Sequence, residues 1–125
     1  MTANPMLRPI LRFDAATCAA MGLLLAIGAD AIARITALPV PLLREAGLLL
    51  LPFAAFVLWA AGRSGWPAQA VVAANIAWIA GSVALIASPW SGNAFGIAFL
   101  GAQAAVVMLL AVLEWRHLAR VPATA

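Results

Sequence analysis

Apolar residues fall in four long runs along this chain, separated by short stretches rich in Pro, Gly, Ser and Arg. The runs cover residues 13–32, 42–61, 68–87 and 93–113. Each is close to the length of about 20 residues that an α-helix, rising about 1.5 Å per residue, needs to cross a hydrocarbon layer about 30 Å thick. The third and fourth runs carry no charge, and the second carries Arg44 and Glu45 only in its first turn. The connections oppose helix continuation. Pro39 and Pro41 stand in the first, Gly62, Gly65 and Pro67 in the second, and Ser88-Pro89-Trp90-Ser91-Gly92 forms the third. Pro41 and Pro67 suit a first helical turn, and Asn93 or Ser91 suits an N-cap. Connections this short force successive helices to lie antiparallel and adjacent. The expected fold is therefore all-α: an integral membrane four-helix bundle, up-down-up-down, in a single domain over residues 1–125, with both termini on one side.

Composition strengthens this reading. The chain of 125 residues is 66% hydrophobic and 9% charged, against about 45–50% and about 25% in soluble domains. A soluble fold of this size leaves much of its surface in water and could not hide so much apolar area. A rival reading of the first run is a signal peptide, with Arg8 and Arg12 as its basic region and Ala29-Asp30-Ala31 as a small-x-small cleavage site; the run is long for that role. The net charge of +3 comes from seven Arg and no Lys, scattered along the chain. That is too sparse for a nucleic-acid surface and better suited to orientation. Arg8, Arg12, Arg63, Arg116 and Arg120 fall on one side of the bundle, while Arg34 and Arg44 on the other are offset by Asp30 and Glu45. The positive-inside rule then puts both termini in the cytoplasm. Trp59, Trp66 and Trp115 fall near the inner interface, Trp90 at the outer one, and Trp78 alone in mid-helix.

Few polar side chains lie deep in the runs: Thr17, Asn75, Ser82 and Gln103. Counted from the inner ends, Asn75 is about seven residues in and Gln103 about ten, a depth difference of about 5 Å. An interhelical polar cluster of Asn75, Gln103, Trp78 and Thr17 is therefore the expected internal feature, holding helices together by modest hydrogen bonds. Asp14 reads as a cap at the start of the first helix. Asp30 and Arg34, four apart, read as an interfacial ion pair. Small residues recur at helical spacing, as Gly22 and Ala26, as Ala73, Ala77, Gly81 and Ala84, and as Ala94, Ala98, Gly101 and Ala102; they read as packing faces. Pro52 interrupts the second helix and frees the carbonyl of Leu48, which predicts a kink.

The residue inventory argues against most chemistry. The single histidine, His117, and the single cysteine, Cys18, cannot supply a bis-histidine haem, a thiol pair or a zinc site. No Gly-rich phosphate loop is present. No catalytic, cofactor-binding or metal-binding residue is expected, and neither enzymatic activity nor a cofactor. The chain has the size of small multidrug-resistance transporters, but lacks the glutamate within the first helix on which those depend; Asp14 and Asp30 stand at its edges. It also lacks the Thr- and Phe-rich third helix of fluoride channels.

Ser88-Pro89-Trp90, closing Gly81-Ser82-Val83-Ala84-Leu85-Ile86-Ala87, resembles the motif of bacterial SPW-repeat membrane proteins. The stretches from Leu42-Leu43-Arg44-Glu45-Ala46-Gly47 through Pro52-Phe53-Ala54-Ala55, then Asn75-Ile76-Ala77-Trp78 and Gly101-Ala102-Gln103-Ala104, resemble a group of uncharacterised small four-helix bacterial membrane proteins. The resemblance implies the fold and the inner-membrane setting and carries no activity. The expected function is a structural or accessory subunit, packed in the lipid bilayer against copies of itself or other membrane subunits. The alternatives are a small oligomeric channel or carrier for a neutral or apolar solute, and a bundle binding lipid, quinone or pigment near Trp78, Phe99 and Met108.

Overall fold

A computed structural model of the chain describes residues 5–63 and 65–118. It is all-helical: α1 (Leu7–Thr36), α2 (Val40–Ala60), α3 (Trp66–Ile86) and α4 (Ala94–Arg116). All four are long and apolar enough to cross a membrane, and their short connections give the expected up-down-up-down bundle. Arg120, used above for orientation, lies outside the described residues.

The helix starts follow the local chemistry. Pro41 and Pro67 occupy the first turns of α2 and α3, where an amide hydrogen would have no intrahelical partner. Asn93 caps α4, its side chain accepting from the Gly96 amide at 3.0 Å. Ser88 closes α3: its hydroxyl donates to Leu85 O at 2.7 Å and accepts from the Trp90 amide at 3.1 Å.

The largest departure from expectation is α1, which begins at Leu7 rather than near residue 13 and runs to Thr36. Pro9 sits in its first turn, where proline is tolerated. Leu7 and Leu11, four apart, are both buried against Val57, Ala60, Ala61, Ala68 and Val71. Their apolar contact extends the helix through the charged residues Arg8 and Arg12, which remain exposed. Arg8 then donates through Nε to Ala61 O at 3.3 Å, at the end of α2. Asp14 is consequently not a cap. It lies two turns inside the helix and is buried.

The α1–α2 hairpin is the tightest contact in the bundle. Gly22 and Gly47 face each other at its crossing, and a Cβ on Gly47 would stand 2.5 Å from Ala26 N and 2.7 Å from Gly22 O. Only a residue without a side chain permits that approach. The far end of α1 is tied to the α3–α4 loop, where Asn93 donates through its amide to Thr36 O and through Nδ2 to Ile35 O, both at 3.0 Å. Gly92, at φ 75°, makes room for Thr36 O there. The expected Asp30–Arg34 pair does not form. Asp30 meets Arg44 of α2 instead, at 3.3 Å, because α2 runs back alongside the last turns of α1. Both side chains are largely exposed, so the pair adds little stability.

The tryptophans mark the two ends. Trp59 and Trp66 stack with Phe56 at centroid distances between 5.6 and 6.3 Å, and the Arg63 guanidinium lies over the Trp59 ring at 4.8 Å. Trp90 and Trp115 are exposed. The small-residue faces divide in use. Gly22 lies inside the α1–α2 contact, Ala77 and Gly81 are exposed along the α2–α3 seam, and Ala73 and Ala84 of α3 and Ala94, Ala98 and Ala102 of α4 are exposed elsewhere.

Gly47→Ala should lower stability by about 1–3 kcal/mol, the usual cost of forcing volume into a filled contact. Gly81→Ala, with open space around it, should be neutral or slightly stabilising. Unfolding in mixed detergent micelles, followed by circular dichroism, reads both; equal effects would contradict the close crossing at Gly47.

Candidate functional site

Three helices bring ionisable and amide side chains together inside the bundle. On α1, Asp14 and Cys18 stand four apart on one face, the face that also buries Leu7, Leu11, Gly22 and Leu25. Asn75 comes from α3 and Glu114 from the last turn of α4. Asp14, Asn75 and Glu114 are 2%, 3% and 0% exposed, so none of them reaches lipid or water directly. The Asn75 side-chain nitrogen donates to Asp14 Oδ2 and to Glu114 Oε1, both at 2.9 Å. A single amide thus uses its two hydrogens to bind two carboxyl groups. Cys18 donates to Asp14 Oδ1 at 3.4 Å. Glu114 Oε2 is buried without a hydrogen-bond partner among the described residues.

One turn farther along α3 a second, neutral group begins. Trp78 Nε1 donates to Gln103 Oε1 at 2.7 Å. Gln103 Nε2 donates to Ser82 Oγ at 2.7 Å and to Leu100 O at 2.9 Å. The Ser82 hydroxyl donates to Trp78 O at 2.9 Å. This group joins α3 to α4.

Beside these groups runs a cleft. α2 and α3 meet less than any other neighbouring pair in the bundle, and the side chains along that seam are small: Ala46, Ala74, Ala77 and Gly81. They leave a cavity of about 520 Å³, open on one side, lined by these residues, by Leu25, Leu43, Leu49 and Phe99, and by Trp78, Ser82 and Gln103. A second compartment of about 280 Å³ shares Leu49, Ala74 and Trp78 with the first and is lined as well by Cys18 and Asn75. The two form one apolar groove, with the neutral polar group along its upper part and the Asn75 amide at its lower end.

The residues expected to cluster are therefore split. Gln103 and Trp78 do bond to each other, but Asn75 bonds to the two carboxyls and not to Gln103. Thr17 donates to the Asp14 carbonyl of its own helix at 2.8 Å and joins neither group. Met108 is exposed and lies outside the cavity lining, unlike Trp78 and Phe99. Asp14, expected as a cap, and Glu114, not among the deep polar residues named from the sequence, are the side chains that sequence reading missed. The usable signal was helical phase. Residues 7, 11, 14, 18, 22 and 25 form one stripe on α1, and residues 100, 104, 111 and 114 form one on α4; each stripe is apolar or small except for its carboxylate.

No family model, curated protein or solved structure matches this chain, so the site stands on its own geometry.

Asn75→Leu should cost about 3 kcal/mol, because it strands two buried carboxyls that share its hydrogens. Gln103→Leu, which removes neutral interhelical bonds, should cost about 1 kcal/mol. Reversible unfolding in mixed micelles distinguishes them; equal losses would mean that the amide between the acids is not special.

Proposed function

We propose that this protein is a membrane-embedded binding bundle for a small, neutral, mostly apolar molecule, which enters from the bilayer between α2 and α3. The groove carries this reading. Its larger compartment, about 520 Å³, is within the range of about 300–1,000 Å³ typical of small-molecule sites, and like them it is apolar with a few convergent polar atoms. Hydrogen-bond accounting narrows the ligand. Every side-chain donor along the groove is already spent: Trp78 on Gln103, Gln103 on Ser82 and Leu100, Ser82 on Trp78, Asn75 on the two carboxyls, and Cys18 on Asp14. What remains is acceptor capacity, on Gln103 Oε1, Ser82 Oγ and Asn75 Oδ1, and on the exposed carboxyl group of Glu45, which also lines the groove. The matching ligand has an apolar body and a donor at its head, as an alcohol, phenol or quinol does. A molecule with carbonyl acceptors alone fits less well.

A second reading is a subunit of a homo-oligomer or of a larger membrane complex. It is favoured by small residues that lie outside the groove lining, Ala73 and Ala84 on α3 and Ala94, Ala98 and Ala102 on α4, all exposed. Gly101 of α4 has open space where a Cβ would stand, and such faces allow close approach of another helix. The two readings are compatible. Under either, the excess of Arg at the end holding Arg8, Arg63 and Arg116 supports cytoplasmic termini in a bacterial inner membrane. Migration as a monomer in native gels after mild extraction, with no co-purifying chain, would remove the assembly reading; an oligomer disrupted by Gly101→Leu is the expected result.

The binding reading is tested with a variant that keeps Trp78 as its only tryptophan, the others replaced by Phe. A long-chain alcohol brominated on its chain should quench Trp78 saturably, and Ala74→Phe should abolish that saturation by filling the groove. The methyl ether of the same alcohol should bind about fivefold more weakly, the ratio that one hydrogen bond of about 1 kcal/mol gives. Quenching that never saturates, and that Ala74→Phe leaves unchanged, would mean ordinary contact with lipid and no site.

A further inference from the structure

The cluster of Asp14, Asn75 and Glu114 lacks one hydrogen. Its two carboxyl groups present four oxygens. Asp14 Oδ2 and Glu114 Oε1 each receive a hydrogen from Asn75, and Asp14 Oδ1 receives one from Cys18. Glu114 Oε2 receives none among the described residues, although it is buried and belongs to a side chain with no exposed surface. A buried acceptor left in this way is costly, and in a carboxylate it bears part of a full charge.

Among the described residues no guanidinium pairs with the cluster: Arg63 lies over the Trp59 ring, and Arg12 and Arg116 are exposed. From α1 the groups facing the cluster are Asp14 and Cys18, from α3 the neutral Asn75, and from α4 Glu114 itself. The ionisable residues of α2 are Arg44 and Glu45, in its first turns at the opposite end. Arg8 is held on the Ala61 carbonyl, and the one ion pair among the described residues is the exposed Asp30–Arg44 contact. Two ionised carboxylates served by one amide, inside a bundle surrounded by hydrocarbon, would repel each other in a low-dielectric medium with no paired guanidinium to offset the charge.

We propose that Asp14 and Glu114 form a one-proton binding site, with the proton carried on Glu114 Oε2. Loading forms one O–H bond at that oxygen and takes the pair from two negative charges to one; unloading reverses both. The proton completes the hydrogen inventory of the cluster, because the bare oxygen becomes a donor beside a carboxylate. The site also lies near an aqueous face: Asp14 is seven residues, about 10 Å, from the start of α1, and Glu114 is in the final turn of α4.

The test needs no substitution at the site. Infrared spectra of the full chain in lipid vesicles at neutral pH should contain the carbonyl stretch of a protonated carboxylic acid. The chain holds only two Glu, at positions 45 and 114, and two Asp. Carboxyl-¹³C glutamate should shift the band to lower frequency, and ¹³C aspartate should leave it in place. Glu114→Gln should abolish the band, and Glu45→Gln should keep it. A spectrum without the band would mean that both carboxyls are ionised and would overturn the proposal. A band that moves with labelled aspartate would overturn it too, by putting the proton on α1.

Discussion

A hydrocarbon environment cannot solvate a polar group, and the Asn75 amide is where this bundle answers that constraint. Three helices bring a polar side chain to the same point, and one nitrogen serves two carboxyl oxygens. Removing the amide leaves the other two without their shared donor, while removing a leucine nearby leaves only a void. The arrangement therefore sets the register of α1 against α3 and α4 more sharply than apolar contact can, since apolar side chains slide past one another at little cost.

α2 takes no part in that arrangement. It contributes no side chain to either polar group, and it is held by the glycine crossing with α1. The bundle thus has a polar-bonded set of three helices and a fourth attached to one of them. The α2–α3 seam is left without hydrogen bonds between the two helices and with Ala46, Ala74, Ala77 and Gly81 among its side chains, and the groove is the volume that results. A single division of labour among the helices thus produces both the clustered acids and the cleft that ends on Asn75.

Much of the fold could be read from the sequence because the length and apolarity of a membrane span are properties of a single segment. Helix count, connections, Pro41, Pro67 and the Asn93 cap all follow from local rules. The Trp78–Gln103 bond was within reach because depth can be counted along two helices. The carboxyl pair was not, for two physical reasons. The start of α1 is set by Leu7 and Leu11 packing on α2 and α3, a tertiary effect that carries Asp14 from the edge into the interior. Glu114 lies in a terminal turn, where a charged residue usually faces the interface, and only the position of α1 turns it inward. The Asp30–Arg34 expectation failed similarly, because spacing along one helix says nothing of a second helix that runs back beside it.

The cluster also bears on how the chain is made. Helices emerge in order from the N-terminus, and α1 with α2 has a complete apolar contact of its own at Gly22 and Gly47. Asp14, however, waits for Asn75, 61 residues later, and Asn75 for Glu114, 39 residues after that. During synthesis the first hairpin therefore sits in the bilayer with an acid whose one side-chain partner is Cys18 of its own helix. The final turn of the final helix is the piece that completes its surroundings. The most polar point of the molecule is thus the last to close, and a chain released or cut before α3 would hold in lipid an aspartate without its partner amide, a ready mark of incomplete assembly for membrane quality control.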